Sequence, residues 1–136
     1  MTNNSNALFE GLPPGADVFD RNCPSRSVLE HVTSRWAVLV LGALIDGTKR
    51  FSELRRNVGG VSEKMLAQTL QALERDGMVH REVRPVIPPH VDYSLTELGR
   101  RGAEHVRALF VWVQESMPDV TASQQNYDER KAAAVS

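Results

Sequence analysis

Residues 51–99 read FSELRRNVGG VSEKMLAQTL QALERDGMVH REVRPVIPPH VDYSLTELG, and their order decides the fold. Phe51-Ser52-Glu53-Leu54-Arg55-Arg56 predicts a short helix that stops at Gly59-Gly60. Ser62 to Asp76 predicts a longer amphipathic helix closed by Gly77. Val79 to Arg84 and His90 to Leu95 predict two strands, because Val91, Tyr93 and Leu95 alternate as a half-buried strand requires. Lys49-Arg50-Phe51 can add a short third strand. Helix, tight turn, helix and β-hairpin is the order of a winged helix-turn-helix, mainly α with a small β-wing (α+β). Such a domain is shaped to lay one helix in the DNA major groove.

The second helix is the candidate reading element. Leu66, Leu70 and Leu73 fall on one stripe of a 3.6-residue period, and Leu54, Val58 and Val61 are their expected packing partners. Lys64, Gln68, Gln71 and Arg75 form the opposite stripe. Gln can pair with adenine N6/N7 and Lys with guanine O6/N7. Met65 and Thr69 of the same helix are further candidate DNA contacts. Ser62 at the N-cap leaves first-turn N–H groups free for a phosphate, and Arg55, Arg56 and Arg75 are the expected backbone contacts. The bland alternative is a solvated helix face, but the turn before it and the hairpin after it favour DNA reading.

The tip Pro85-Val86-Ile87-Pro88-Pro89 cannot form a two-residue turn and should project as a stiff loop. Arg81, Arg84 and His90 flank it and can reach the DNA backbone or a minor groove. In the competing view the hairpin only covers the core edge, with Arg81 tied to Glu82 or Asp92.

Outward from this block, Pro24 suits the first turn of a helix to about Val32, and Trp36 to Ile45 is apolar enough to be the central core helix. Residues 1–21 read as an N-terminal arm, where Leu8, Phe9, Leu12, Val18 and Phe19 supply packing surface around Gly11, Pro13, Pro14 and Gly15. Residues 22–116 form the DNA-binding and dimerisation domain. Thr96 caps a last helix that runs to about Ser116 and ends at Pro118, leaving 117–136 as a flexible tail. Along that helix Leu98, Val106, Leu109, Phe110, Trp112 and Val113 cover more of the circumference than one core needs. The surplus predicts a homodimer through the terminal helices, with two reading helices about 34 Å apart over a near-palindromic site. Alternatively, the arm folds back over this helix.

The 136 residues carry a net charge of −1, but its distribution is uneven. Residues 49–84 hold 8 basic against 5 acidic side chains, while 1–20 hold Glu10, Asp17 and Asp20 and no Lys or Arg. The basic excess therefore sits on the reading block. No apolar run approaches the roughly 18 residues of a membrane span, and Met1 to Asn6 lack signal-peptide order, so a cytoplasmic protein is expected. One cysteine excludes an internal disulfide. Cys23 precedes a helix and has Arg21 and Arg26 nearby, which stabilises thiolate and makes it a candidate sensor of oxidants or electrophiles. A passive small hydrophobe is the alternative. His31, His80, His90 and His105 are scattered without zinc spacing, so no metal or other cofactor is expected. A Cys23–His31 pair has no orienting group or oxyanion hole beside it, which argues against an enzyme.

Cys23-Pro24, Trp36, Phe51 to Arg56, Met65-Leu66, Leu70, Leu73-Glu74-Arg75-Asp76-Gly77 and Tyr93-Ser94-Leu95-Thr96-Glu97-Leu98-Gly99 together resemble the HxlR-type group of MarR-like bacterial transcription regulators. The resemblance covers roughly residues 22–115. It implies a cytoplasmic homodimeric winged-helix regulator that binds an inverted repeat in double-stranded DNA; repression is the expected mode of action where such an operator overlaps a promoter. It also implies a sensing role for Cys23, although the second cysteine that some members use for an intersubunit disulfide is missing. Only Cys23–Cys23 pairing, a mixed disulfide or alkylation remains. Lys64 matches the family's basic residue early in the reading helix, and Glu63 adds a carboxylate that disfavours a nearby phosphate. The rival classes are a winged helix used for protein assembly and a small-molecule-responsive regulator without thiol sensing.

Overall fold

The computed structural model describes residue 8, residues 10–12 and residues 16–135. Phe9, Pro13, Pro14 and Gly15 of the expected arm, like Met1 to Asn6, lie outside the described residues. Of the arm side chains expected to pack, Leu8, Leu12 and Phe19 are exposed and Val18 is half-buried. The expectation of an arm packed through all of them is corrected accordingly.

Helix α1 spans Pro24–Thr33 with Pro24 in its first turn, and α2 spans Arg35–Ala43 before a 3₁₀ turn, Leu44–Asp46. Strand β1 is Lys49–Arg50, α3 is Phe51–Asn57 and α4 is Glu63–Arg75. Strands β2, Val79–Arg84, and β3, His90–Leu95, form the hairpin, and α5 is Glu97–Val135. The sheet is antiparallel in the order β1-β3-β2, with Lys49 opposite Tyr93 and Val79 opposite Leu95. This is the winged helix-turn-helix that residues 51–99 predict.

One core holds these elements together. Val40, Leu41 and Leu44 of α2 and its 3₁₀ turn are buried against Leu54, Val58 and Val61 and the three leucines of α4. Burying each such side chain stabilises by about 1.5–3 kcal/mol, so this layer fixes how α4 stands on the domain. Two turns need backbone that only glycine adopts without strain: Gly60 at φ +87° before α4, and Gly77 at φ +78° after it.

Helix α5 is seated at two places. Thr96 Oγ1 accepts the Gly99 N–H at 3.0 Å and donates to the Gly77 carbonyl at 2.6 Å, locking the helix start onto the end of α4. Farther along, Phe110 packs into the space left by Gly42 of α2; a Cβ at that glycine would run into the ring. Phe110 and the buried Val106 therefore belong to the chain's own core, which removes Phe110 from the surplus expected to meet a partner. Leu98, Leu109, Trp112 and Val113 remain exposed, Trp112 at 63%.

The expected stop at Pro118 does not occur. Helix α5 passes through Pro118 and reaches Val135, so the segment assigned to a flexible tail is helical as far as the described residues go. Proline removes one N–H and crowds the preceding turn. Here that turn is exposed, so water can serve the released carbonyl, and beyond it Ala, Gln, Glu, Arg and Lys dominate with no glycine.

Candidate nucleic-acid interface

Helix α4, the expected reading helix, is fixed at both ends. Ser62 Oγ accepts the Met65 N–H at 3.1 Å, a closed N-cap that uses one of the first-turn donors expected to face a phosphate. At the other end Asp76 Oδ2 accepts a hydrogen bond from His31 Nδ1 at 2.6 Å, joining α1 to the foot of α4. With Leu66, Leu70 and Leu73 buried, Lys64, Gln68, Gln71 and Arg75 are all exposed along the opposite side.

Met65 and Thr69 lie off that stripe, on the flank turned toward α1. Thr69 is half-buried and donates its hydroxyl to the Met65 carbonyl at 2.7 Å. Thr69 and Gln68 also edge a shallow cleft with His31 and Ser34, about 210 Å³ in volume. Arg55 is exposed but bonded to Glu63 at 3.0 Å, whereas Arg56 has no carboxylate partner among the described residues. Glu63 thus occupies one of the cations expected to meet a phosphate.

On the wing, Arg84 rather than Arg81 is tied down. Its guanidinium meets Asp92 at 3.0 Å and Glu82 at 3.4 Å, and His90 Nε2 lies 3.4 Å from Asp92. The Asp92 hydrogen bond, then the Glu82 charge, hold Arg84 above the ordinary arginine value. Arg81 is exposed and has no ion pair among the described residues. Thus the hairpin leaves Arg81 open and ties Arg84 and His90, nearest its tip, to carboxylates.

Cys23 is half-buried at the start of α1, with Sγ 3.1 Å from Ser25 Oγ. The Ser25 hydroxyl, followed by backbone hydrogen bonds at Asp17 and Ser25, holds the thiol below its ordinary value against burial and the Asp20 charge. The thiolate is therefore favoured by hydrogen bonds, and the expectation that adjacent cations do this is corrected: Arg26 is paired with Glu30 at 3.0 Å. Ser25 escaped the sequence reading, although its place in the first turn after Cys23-Pro24 was the available signal. His31 is engaged with Asp76, not with Cys23.

Comparison with known proteins adds an independent line. Residues 31–121 match the profile of the HxlR-like helix-turn-helix family. The uncharacterized HTH-type transcriptional regulator YtfH of Escherichia coli (strain K12) is 59% identical over 126 residues, covering 93% of this chain and 97% of that protein. A solved structure of the YtfH regulator from Salmonella typhimurium is 59% identical, with TM-score 0.76, over 80% of this chain and 97% of the other. The redox regulator HypR in its oxidized form is 40% identical, with TM-score 0.64, over 68% of this chain and 96% of the other.

Proposed function

The chain belongs to the HxlR-like helix-turn-helix family of transcriptional regulators, and from that premise we propose that it represses transcription as a homodimer on an inverted-repeat operator. The observation that carries the reading is the exposed Lys64-Gln68-Gln71-Arg75 stripe on a helix whose leucine side is wholly buried. Lys64, Gln68 and Gln71 contact base edges, with Met65 and Thr69 at the margin. Ser62, Arg55, Arg56, Arg75 and Arg81 hold phosphates, and Arg84 and His90 do so only by giving up Asp92.

The exposed side of α5 supports the two-fold pairing. Leu98, Leu109, Val113 and Val120 recur along one flank, displaced from the side that meets α2. A second copy covering this stripe gives each operator half-site one reading helix. The protein works in the cytoplasm, where double-stranded DNA is its partner.

Cys23 makes the regulator responsive to oxidants or electrophiles. Its lowered thiol value and the likeness to the redox regulator HypR favour this role. A modified Cys23 releases DNA only if it favours a dimer whose reading helices no longer match the operator spacing. Selection of bound fragments from a random duplex pool, with and without diamide, tests all of this. Recovery of a palindrome that diamide abolishes is the expected result. Recovery of no preferred sequence would remove the operator reading, and a palindrome indifferent to diamide would remove Cys23 alone.

A further inference from the structure

Past Pro118 the last helix keeps one apolar flank and loses the other. Every residue from 119 to 135 is exposed. On the side that farther upstream meets α2 through Val106 and Phe110, this distal arm carries Thr121, Gln124 and Asp128, none of them apolar. The flank of Leu98, Leu109, Val113 and Val120 continues instead to Tyr127, two helical turns beyond Val120. A helical segment with no buried side chain has no packing of its own to hold it, so the stability must come from a cover on that flank.

We propose that the distal arm lies antiparallel along α5 of a second copy, with the partner's Tyr127 seated in the notch at Gly102. This rests on the two-fold pairing proposed above and extends it past residue 121, where the matched family segment ends. Three observations select this occupant. First, Gly102, Ser116 and Lys131 fall on the same flank, and its positions from Leu98 to Lys131 follow steps of 4, 7, 4, 3, 4, 7 and 4. That series reads the same in both directions, so an antiparallel copy meets it position for position.

Second, the opposed side chains fit. Tyr127 meets Gly102, where an added Cβ would find nothing within 4 Å; Leu109 meets Val120, and Val113 meets Ser116. The Lys131 stem covers Leu98 while its ammonium stays in water. A parallel copy would set Lys131 against Lys131 and Gly102 against Gly102, a like-charge contact and a void. Third, the register spaces the reading domains. Ala103 is fully buried midway between the Thr96 and Phe110 seats, and it lies level with the partner's Asn126. From position 103 to position 126 the helix rises about 34 Å. The two seats therefore stand one turn of duplex apart along the paired rods, the half-site separation of a two-fold reader.

Each arm then reaches the first turns of its partner's α5, which Thr96 locks onto Gly77 at the end of α4. A ring laid on glycine backbone removes apolar area from water, and the tyrosine hydroxyl stays at the rim. Phe110 sits on Gly42 within the chain by the same device. The arm of one copy thus braces the reading domain of the other.

The test uses the full-length protein carrying Cys23→Ser, so that the only thiols are the ones added. Co-expressed Gly102→Cys and Tyr127→Cys chains should give a disulfide-linked heterodimer under mild oxidation, whereas either variant alone should give little. Tyr127→Cys that cross-links to itself as readily overturns the proposal in favour of a parallel pair. A mixture that sediments as dimers yet forms no cross-link overturns it too. A second measurement is independent of thiol geometry. Gly102→Phe should weaken dimerisation about tenfold by filling the notch, and adding Tyr127→Ala should restore most of the loss. A Gly102→Phe protein that dimerises normally, or a Tyr127→Ala change that only adds to its loss, removes the notch. Wild-type protein that sediments as a monomer refutes the two-fold pairing itself, a result separate from these.

Discussion

His31 Nδ1 lies 2.6 Å from Asp76 Oδ2, and this single bond ties α1, which Cys23 precedes, to the C-terminal end of α4. A carboxylate at a helix C-terminus faces the negative end of the helix dipole, so it needs a donor. The Asp76 side chain is only 8% exposed and cannot replace His31 with bulk water. His31→Ala should therefore lower stability by about 1–3 kcal/mol, read from urea unfolding. A double-mutant cycle with Asp76→Asn should show coupling between the two sites; additive effects would mean that the bond contributes nothing.

Substitutions at Gln68 and Arg56 should separate base reading from phosphate binding. Gln68→Ala should cost about 1–3 kcal/mol on the preferred operator and relax preference at one position. Arg56→Ala should weaken all duplexes alike and lower the salt slope by about one unit. Titrations at several salt concentrations distinguish the two patterns.

Glu63 acts in both directions. It sits in the first turn of α4, where its charge favours the helix by about 0.3–1 kcal/mol. It also holds Arg55. Glu63→Gln should thus lower the melting temperature slightly, yet tighten binding to random duplex and steepen its salt dependence by about one unit. Binding that stays unchanged would place Glu63 and Arg55 outside the footprint.

Thiol reactivity tests the Ser25 hydrogen bond. Because the Cys23 value is lowered, thiolate persists to lower pH than for an ordinary cysteine. The iodoacetamide rate should reach half its maximum at a correspondingly lower pH. Ser25→Ala removes the largest cause, so its profile should move upward and its rate at neutral pH should fall a few fold. Coincident profiles would discard the hydrogen bond as the origin of the shift.

The α5 stripe predicts a self-association defect. Leu109→Glu with Val113→Glu would bury unpaired charge at the proposed pairing surface, at about 3–5 kcal/mol for each charge left uncompensated. Sedimentation should report monomers with a preserved melting transition. Unaltered mass would remove this stripe from the pairing surface.

Much of this architecture is written locally. Ser62 and Gly77 bracket α4, and the alternation of Val91, Tyr93 and Leu95 marks β3, because capping and pleat act over a few residues. What was hidden depends on register or distance. Which arginine the wing neutralises follows from pairing: Glu82 faces Asp92 and Arg84 faces His90, so these four share one side of the sheet while Arg81 shares the other with Tyr93. The His31–Asp76 bond joins positions 45 apart and has no local signature. Pro118 misled for the opposite reason, since a strong local rule yields where the lost bond is exposed to solvent. Among the site residues, the α4 stripe was legible from periodicity, whereas the engagement of Arg55, Arg84 and His90 was not.

The uninterrupted course of α5 has a mechanical corollary. Its 39 residues make a rod about 58 Å long at 1.5 Å per residue. Tilting the domain by ten degrees would carry the end of the rod, roughly 38 Å beyond its Phe110 seat, through about 7 Å, by the same rise per residue. A fluorophore attached at the far end then works as the pointer of a gauge, magnifying small reorientations of the domain into displacements that energy transfer resolves.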